Sequence, residues 1–333
     1  MTHRLSLAGL SVLAALALVA CPAPKPAGAA AAGSDVNALC PGEEPEPAPQ
    51  ERPVRPRPFV DVIPREDVEL TPEKPARDVA FGSAVCKAGQ EVWRDQGGRI
   101  RTCTIARRVT LFGIDIAAGA YSHFWEDGRP YQTHIARPME LVTAAGEKVQ
   151  CKADFVLLSK AGALEHCTLA RSTTIGKVAC RGGESVAFHP GGQLSIAVID
   201  QPLVVSGTEL HEGTLLYWFE SGAPAGGVLG APTRIGGTRI SSEFGLHESG
   251  ALRAIHLAEA RTIHGQKLPE RAIVELRKDG SLQYAEFEVD RGFMPHGEMW
   301  TDTKHVRYDC ASKVSTEHTS HYQAEFAPHP PKW

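Results

Sequence analysis

The chain has 333 residues, 42% of them hydrophobic, with 35 basic and 39 acidic side chains for a formal net charge of −4. That balance gives no electrostatic case for a nucleic-acid partner, while the apolar fraction suffices for a buried core. Length alone suggests about two domains, but the composition predicts one folded domain behind a long unfolded stretch, and only the N-terminal segment is apolar enough to meet a membrane.

That segment opens with Thr2-His3-Arg4 and continues as an apolar run from Leu5 to Ala20. It is shorter than the roughly 20 residues a spanning helix needs, so residues 1–20 read as an export signal peptide. The end of the run, Leu18-Val19-Ala20-Cys21, resembles the lipobox of bacterial lipoproteins, where a small residue before the cysteine admits the peptidase and the thiol receives the lipid. The resemblance implies that Cys21 becomes the first mature residue and the lipid anchor, in the manner of palmitate. Each buried methylene then contributes about 0.8 kcal/mol, and more than one chain is needed for stable attachment. The expected place is the cell envelope, at the outer membrane or the periplasmic face of the inner membrane.

From Pro22 to Arg77 the sequence turns to proline, alanine and charge, as in Glu43-Glu44-Pro45-Glu46-Pro47 and Arg52-Pro53-Val54-Arg55-Pro56. Proline withholds backbone donors and favours extended polyproline II, so residues 21–77 are predicted to be a disordered, lipid-anchored linker. At about 3.1 Å per residue its reach is on the order of 100 Å. A Pro-x-x-Pro ligand is the alternative reading of the same stretch, and Phe59-Val60-Asp61-Val62-Ile63 is a candidate edge strand.

Residues 78–310 carry two periodic landmarks. One glycine recurs at Gly98, Gly128, Gly162, Gly192, Gly222, Gly250 and Gly280, at intervals of 30, 34, 30, 30, 28 and 30 residues; a second keeps the beat at Gly82, Gly113, Gly146, Gly176, Gly207, Gly237, Gly265 and Gly292. Such periodicity marks a repeat array. Strand-like segments such as Ser185–Phe188 and Leu194–Ile199 flank polar turns ending in Ser-Gly or Asp-Gly, which supply the positive φ of a tight hairpin. No long 3.6-residue period appears. The expectation is an all-β, elongated antiparallel sheet of six to seven stacked hairpin repeats of about 30 residues, because a lone hairpin is marginal in water. Trp93, Phe124, Phe155, Phe188, Tyr217, Phe219, Phe244, Val274 and Leu276 are the expected inner-face residues. Pro130 and Pro224, just after turns, call for a bulge or an edge. Residues 311–333 read as a polar C-terminal tail. The run Gly213-Thr214-Leu215-Leu216-Tyr217-Trp218-Phe219-Glu220-Ser221-Gly222 resembles the MORN-type hairpin repeats of bacterial proteins, with a longer period. That resemblance implies a hairpin sheet for protein or lipid contact and no catalytic residues.

Seven cysteines follow Cys21 in a chain bound for an oxidising compartment. Cys103 and Cys167 stand five residues past a turn glycine, and Cys86, Cys151 and Cys180 share the slot before the incoming strand. Folding about the turn brings the slots together and predicts Cys86–Cys103 and Cys151–Cys167 disulfides. Cys180 faces Ala197 and is left for Cys310 or Cys40; the odd count leaves a free thiol or an intermolecular bridge.

No nucleophile elbow, phosphate loop or His-Glu-x-x-His pair is present. His211-Glu212 and His247-Glu248 read as solvated turn residues, and Glu209, Glu212, Glu243 and Glu248, on adjacent units, are candidates for a carboxylate pair. His318 and His321 are the candidate metal ligands, imidazole suiting zinc, copper or nickel. The expected function is a non-enzymatic lipoprotein without a cofactor, presenting a β-repeat surface to an envelope protein or cell-wall glycan. The alternatives are an envelope hydrolase with a carboxylate/His groove and a metal-handling lipoprotein using the C-terminal histidines.

Overall fold

The computed structural model describes residues 69–293 and 299–322. Cys21, the proline-rich stretch and Phe59–Ile63 lie outside them. The described residues contain strands and no helix.

The glycine landmarks are turns of two kinds, except Gly292, which falls within the strand Leu282–Phe293 and not at a turn. The first set closes the longer hairpin of each unit, with φ from 74° to 85°. In the fourth unit His189 N–H donates to Gln193 O (2.8 Å) and Gly192 N–H to His189 O (2.7 Å), a type I turn completed by a left-handed glycine. A register shift follows each such turn, and Pro130 and Pro224 sit at these bulges. Most of the second set closes a shorter hairpin of three-residue strands, such as Thr173–Ile175 with Val178–Cys180, while Gly146 makes a turn of the first kind between Met139–Val142 and Lys148–Leu158. In four of these hairpins the two central residues, Phe112-Gly113, Ser206-Gly207, Gly236-Gly237 and His264-Gly265, are both at positive φ; in two others, Gly82-Ser83 and Gly176-Lys177, only the leading glycine is, and both turn types have a twist that matches paired strands.

A third left-handed residue, glycine in four units and Arg271 in the seventh, decides how the two hairpins join. Gly89, Gly119, Gly183 and Gly213 have φ between 70° and 82°, and there the chain turns between the short hairpin and the next long strand. The third and sixth units have Lys152-Ala153-Asp154 and Ser241-Ser242-Glu243 at this place. With no left-handed residue there, the chain runs on as the single strands Lys148–Leu158 and Thr238–Leu246, each with a register shift midway.

The long hairpins pair in chain order into one antiparallel sheet of 19 strands, which takes in Met139–Val142 and Thr233–Ile235 as side branches. It begins at Thr71–Glu73, paired with Val92–Arg94, and ends at Val314–Tyr322, paired with Met299–Tyr308. The sheet thus starts earlier and ends later than the expected 78–310, and residues 314–322 are a strand where a tail was expected. One cross-strand row on the inner face is sealed, with Val92, Cys103, Val156, Val186, Leu216, Ile255, Val274 and Ala285 all at 0% exposure. The short hairpins cover this face: their first and third positions, such as Val205 and Leu210, point into the same apolar cluster, while middle positions such as Val204 and Glu209 face out. Each fully buried Leu or Ile contributes about 1.5–3 kcal/mol.

Phe124, Phe188, Phe244, Val274 and Leu276 are buried inside as expected. Trp93, Phe155 and Tyr217 are not; each is an odd step from an inner neighbour (Val92, Val156, Leu216) and so belongs to the opposite face. Phe219 opens a turn.

Disulfides Cys86–Cys103 and Cys151–Cys167, with Cα separations of 5.7 and 5.9 Å, bind short hairpin to main sheet in the first and third units. Cys180 is a buried free thiol, and Cys310, disulfide-bonded, is not its partner. Burial pushes the Cys180 thiol up to about 12, so it stays protonated and inert.

Side chains near the turns tie five of the units to the next through one repeated carbonyl. Arg101 Nε donates to Phe124 O (3.1 Å), Trp125 Nε1 to Leu158 O (3.3 Å), His189 Nε2 to Trp218 O (2.9 Å), His247 Nε2 to Leu276 O (3.0 Å) and Arg277 Nη2 to Tyr308 O (2.8 Å). His247 is therefore a buried clamp, not a solvated turn residue; only Glu248 beside it is exposed.

Candidate binding face

The outer face of the main sheet bears a second continuous row, running Thr102–His123–Gln132–Leu157–His166–Ala187–Ile196–Tyr217–Gly226–Gly245–Ala254–Glu275–Tyr284 by direct cross-strand pairing. Its chemistry changes along the chain. The first part is polar and buried: His123 and His166 are 2% and 5% exposed, and Thr102 Oγ1 lies 2.9 Å from His123 Nδ1. Phe155 packs edge-on against His134 and tilted against His166, centroids 5.7 Å apart in both cases. Burial pushes the His166 imidazole down to about 4, so it is neutral near pH 7.

The middle part is apolar and half-buried, with Ile196, Val198, Leu215, Tyr217 and Val228 side by side on neighbouring strands. Gly226 and Gly245 face each other there. A Cβ on Gly226 would stand 2.3 Å from Phe244 O, so no other residue fits so close a backbone approach.

The last part gathers acids, imidazoles and hydroxyls. Glu286, His305 and His318 are directly opposite one another on three adjacent strands. His305 Nδ1 lies 2.7 Å from Tyr284 Oη, which donates to Glu286 Oε2 at 2.9 Å; His305 Nε2 lies 3.0 Å from Ser320 Oγ. The rings of His305 and His318 stack at 6.1 Å. One unit earlier Glu243 Oε2 approaches His256 Nε2 at 3.9 Å, and Ser242 Oγ lies 3.4 Å from Nδ1. These groups can share protons and present donors and acceptors to a partner. They lie on a sheet face, where the ladder already uses the N–H groups of the inner strands.

Of the residues singled out by sequence, His318 joins this cluster, opposite His305, while His321 is in register with Asp302 three positions along the strand. Among the described residues no group of three or more His, Cys, Asp and Glu is arranged to hold a metal ion. Glu209 lies on the outward middle of a short hairpin and Glu243 on the far layer, so the acidic set does not converge. The cluster around His305 draws Tyr284, Glu286, His305, His318 and Ser320 from three strands. Its sequence signal was the even spacing of His318 and Ser320, readable only once residues 314–322 are known to be a strand.

Compared with protein-family models and with curated proteins, the sequence matches none.

Proposed function

We propose that this chain is a non-enzymatic lipoprotein of the cell envelope, held to a membrane by lipid on Cys21, whose β-repeat face binds or scaffolds an envelope protein or cell-wall glycan. The observation that carries this reading is the unbroken outer row of the sheet, polar, then apolar, then rich in Glu and His, a long surface of the kind repeat arrays offer to extended partners. The lipobox resemblance at Leu18–Cys21, the proline-rich stretch behind it and the MORN-like turn spacing support the tethered-scaffold arrangement. Cells making the full chain with an alkyne palmitate analogue should label it, and Cys21→Ser should abolish the label. A photo-crosslinking residue at Tyr217 in intact cells should then capture a discrete species. An unlabelled chain removes the anchor, and no captured protein or glycan removes the binding role.

A second reading, an envelope hydrolase, draws on the run Ser320–His305–Tyr284–Glu286, in which the imidazole stands between a hydroxyl and an acid-backed phenol. Labelling of Ser320 by a fluorophosphonate, lost in His305→Ala, would support it; an unreactive Ser320 removes it.

A further inference from the structure

We propose that the last strand, Val314–Tyr322, is the docking edge for a second copy of this chain, so that two main sheets join through an antiparallel pair of last strands. The two edges of the sheet are built differently. Thr71–Glu73 has three residues with Pro72 at its centre, and proline brings no N–H to an added strand. Val314–Tyr322 has nine residues and no proline. It pairs with Met299–Tyr308 on one side and, among the described residues, with no strand on the other. Val314 is 49% exposed, and residues 315–318 are exposed as well. Val314, Thr316 and Thr319 are strand-favouring, and Glu317 is the one acidic residue of the strand, with no lysine or arginine in it. Of the devices that usually protect an edge, this strand has only Glu317, paired with Lys304 at 2.9 Å, and the bulge at its start between Val314 and Thr316; proline and lysine are missing.

The occupant follows from symmetry. A two-fold axis relating antiparallel neighbours stands normal to the sheet, pairs residues of one face, and passes through a residue that meets its own copy. At Glu317 that would set two carboxylates against each other. At Thr319 it sets hydroxyl against hydroxyl and brings His318 of each chain opposite Ser320 of the other, both favourable cross-strand pairs. Because Pro72 blocks the first edge, addition stops at two chains and does not run on into a fibre. The sequence beyond Tyr322 carries Pro328, Pro330 and Pro331, which have no N–H to give a ladder, and so offers a poorer strand than a second copy.

The full chain, extracted in mild detergent, should sediment with the protein mass of two chains. Thr319→Cys should cross-link to its own copy on mild oxidation, and Lys313→Cys, off the axis, should not. Thr319→Lys sets two ammonium groups at the axis and should weaken association about tenfold or more, leaving the fold's circular dichroism unchanged. A single-chain mass across the micromolar range overturns the proposal, as does a dimer that ignores Thr319→Lys and fails to cross-link at Thr319→Cys. A chain ending at Tyr322 that dimerises when the full chain does not also overturns it, because residues 323–333 would then be the occupant.

Discussion

At the scale of single residues, the array shows where one position departs from its equivalents. Cys180 occupies the slot of Cys86 and Cys151, while Ala197, 1% exposed, stands where Cys103 and Cys167 complete the bridge. Ala197→Cys is therefore expected to form a third disulfide, removing the buried free thiol in a denatured-state thiol assay. Closing a loop of this length should add about 3 kcal/mol to stability in urea. Arg271 holds φ at 66° where four other units have glycine, its N–H bonding Leu257 O at 2.9 Å. Arg271→Gly should relieve a left-handed cost and raise stability by about 0.5–1 kcal/mol. Ser312, at φ 55°, looks like the same opportunity and is not. Its Oγ accepts the buried Leu282 N–H at 3.0 Å, so Ser312→Gly should lose about 1 kcal/mol, and thermal melts of the two glycine variants should move in opposite directions.

At the scale of elements, the clamps between units fail at two seams: after Ser159, whose Oγ accepts the Ala163 N–H of its own turn at 3.1 Å, and after Phe219, where the strands are also glycine-rich. Phe219 takes the turn position filled by Trp125, His189, His247 and Arg277 and has no polar group to reach the Leu246 carbonyl of the sixth unit. The strands meeting there, Pro224–Val228 and Thr238–Leu246, also carry Gly226, Gly227 and Gly245, which give no side-chain packing. Amide exchange should be fastest across this pair, and Phe219→His should slow it while adding about 1 kcal/mol. Equal protection on both sides of the seam would contradict this. The hairpins themselves were readable from sequence because Gly98 through Gly280 each need a φ that other residues resist, and the slots of Cys86 and Cys103 follow from folding about Gly98. The face of Trp93, Phe155 and Tyr217 was not readable, since the bulge after each long turn shifts the register by one residue. Nor was the burial of His247, whose partner Leu276 O lies a whole unit away. The cluster around His305 stayed hidden for a similar reason: it needs the last segment to be a strand, and Val314–Tyr322 carries no glycine beat.

At the scale of the whole molecule, stability should depend on acid through the buried outer row. The His166 imidazole, held down to about 4 by burial, has a folded-state value below the ordinary 6.5. Its contribution is complete above about pH 6.5, where both states are neutral, and is lost as pH falls from there toward 4, because the unfolded chain takes the proton first. The loss is on the order of 3 kcal/mol. Urea midpoints at pH 7.5 and 4.5 should differ accordingly, and His166→Phe should flatten the difference; an unchanged slope would falsify the assignment. The unclamped junction after Phe219 has a mechanical consequence too. A sheet tied evenly along its length resists bending everywhere alike, whereas this one has a built-in crease. Under load from a bound partner it should yield along that line, opening like a hinged book with its spine at the glycines and leaving both boards intact.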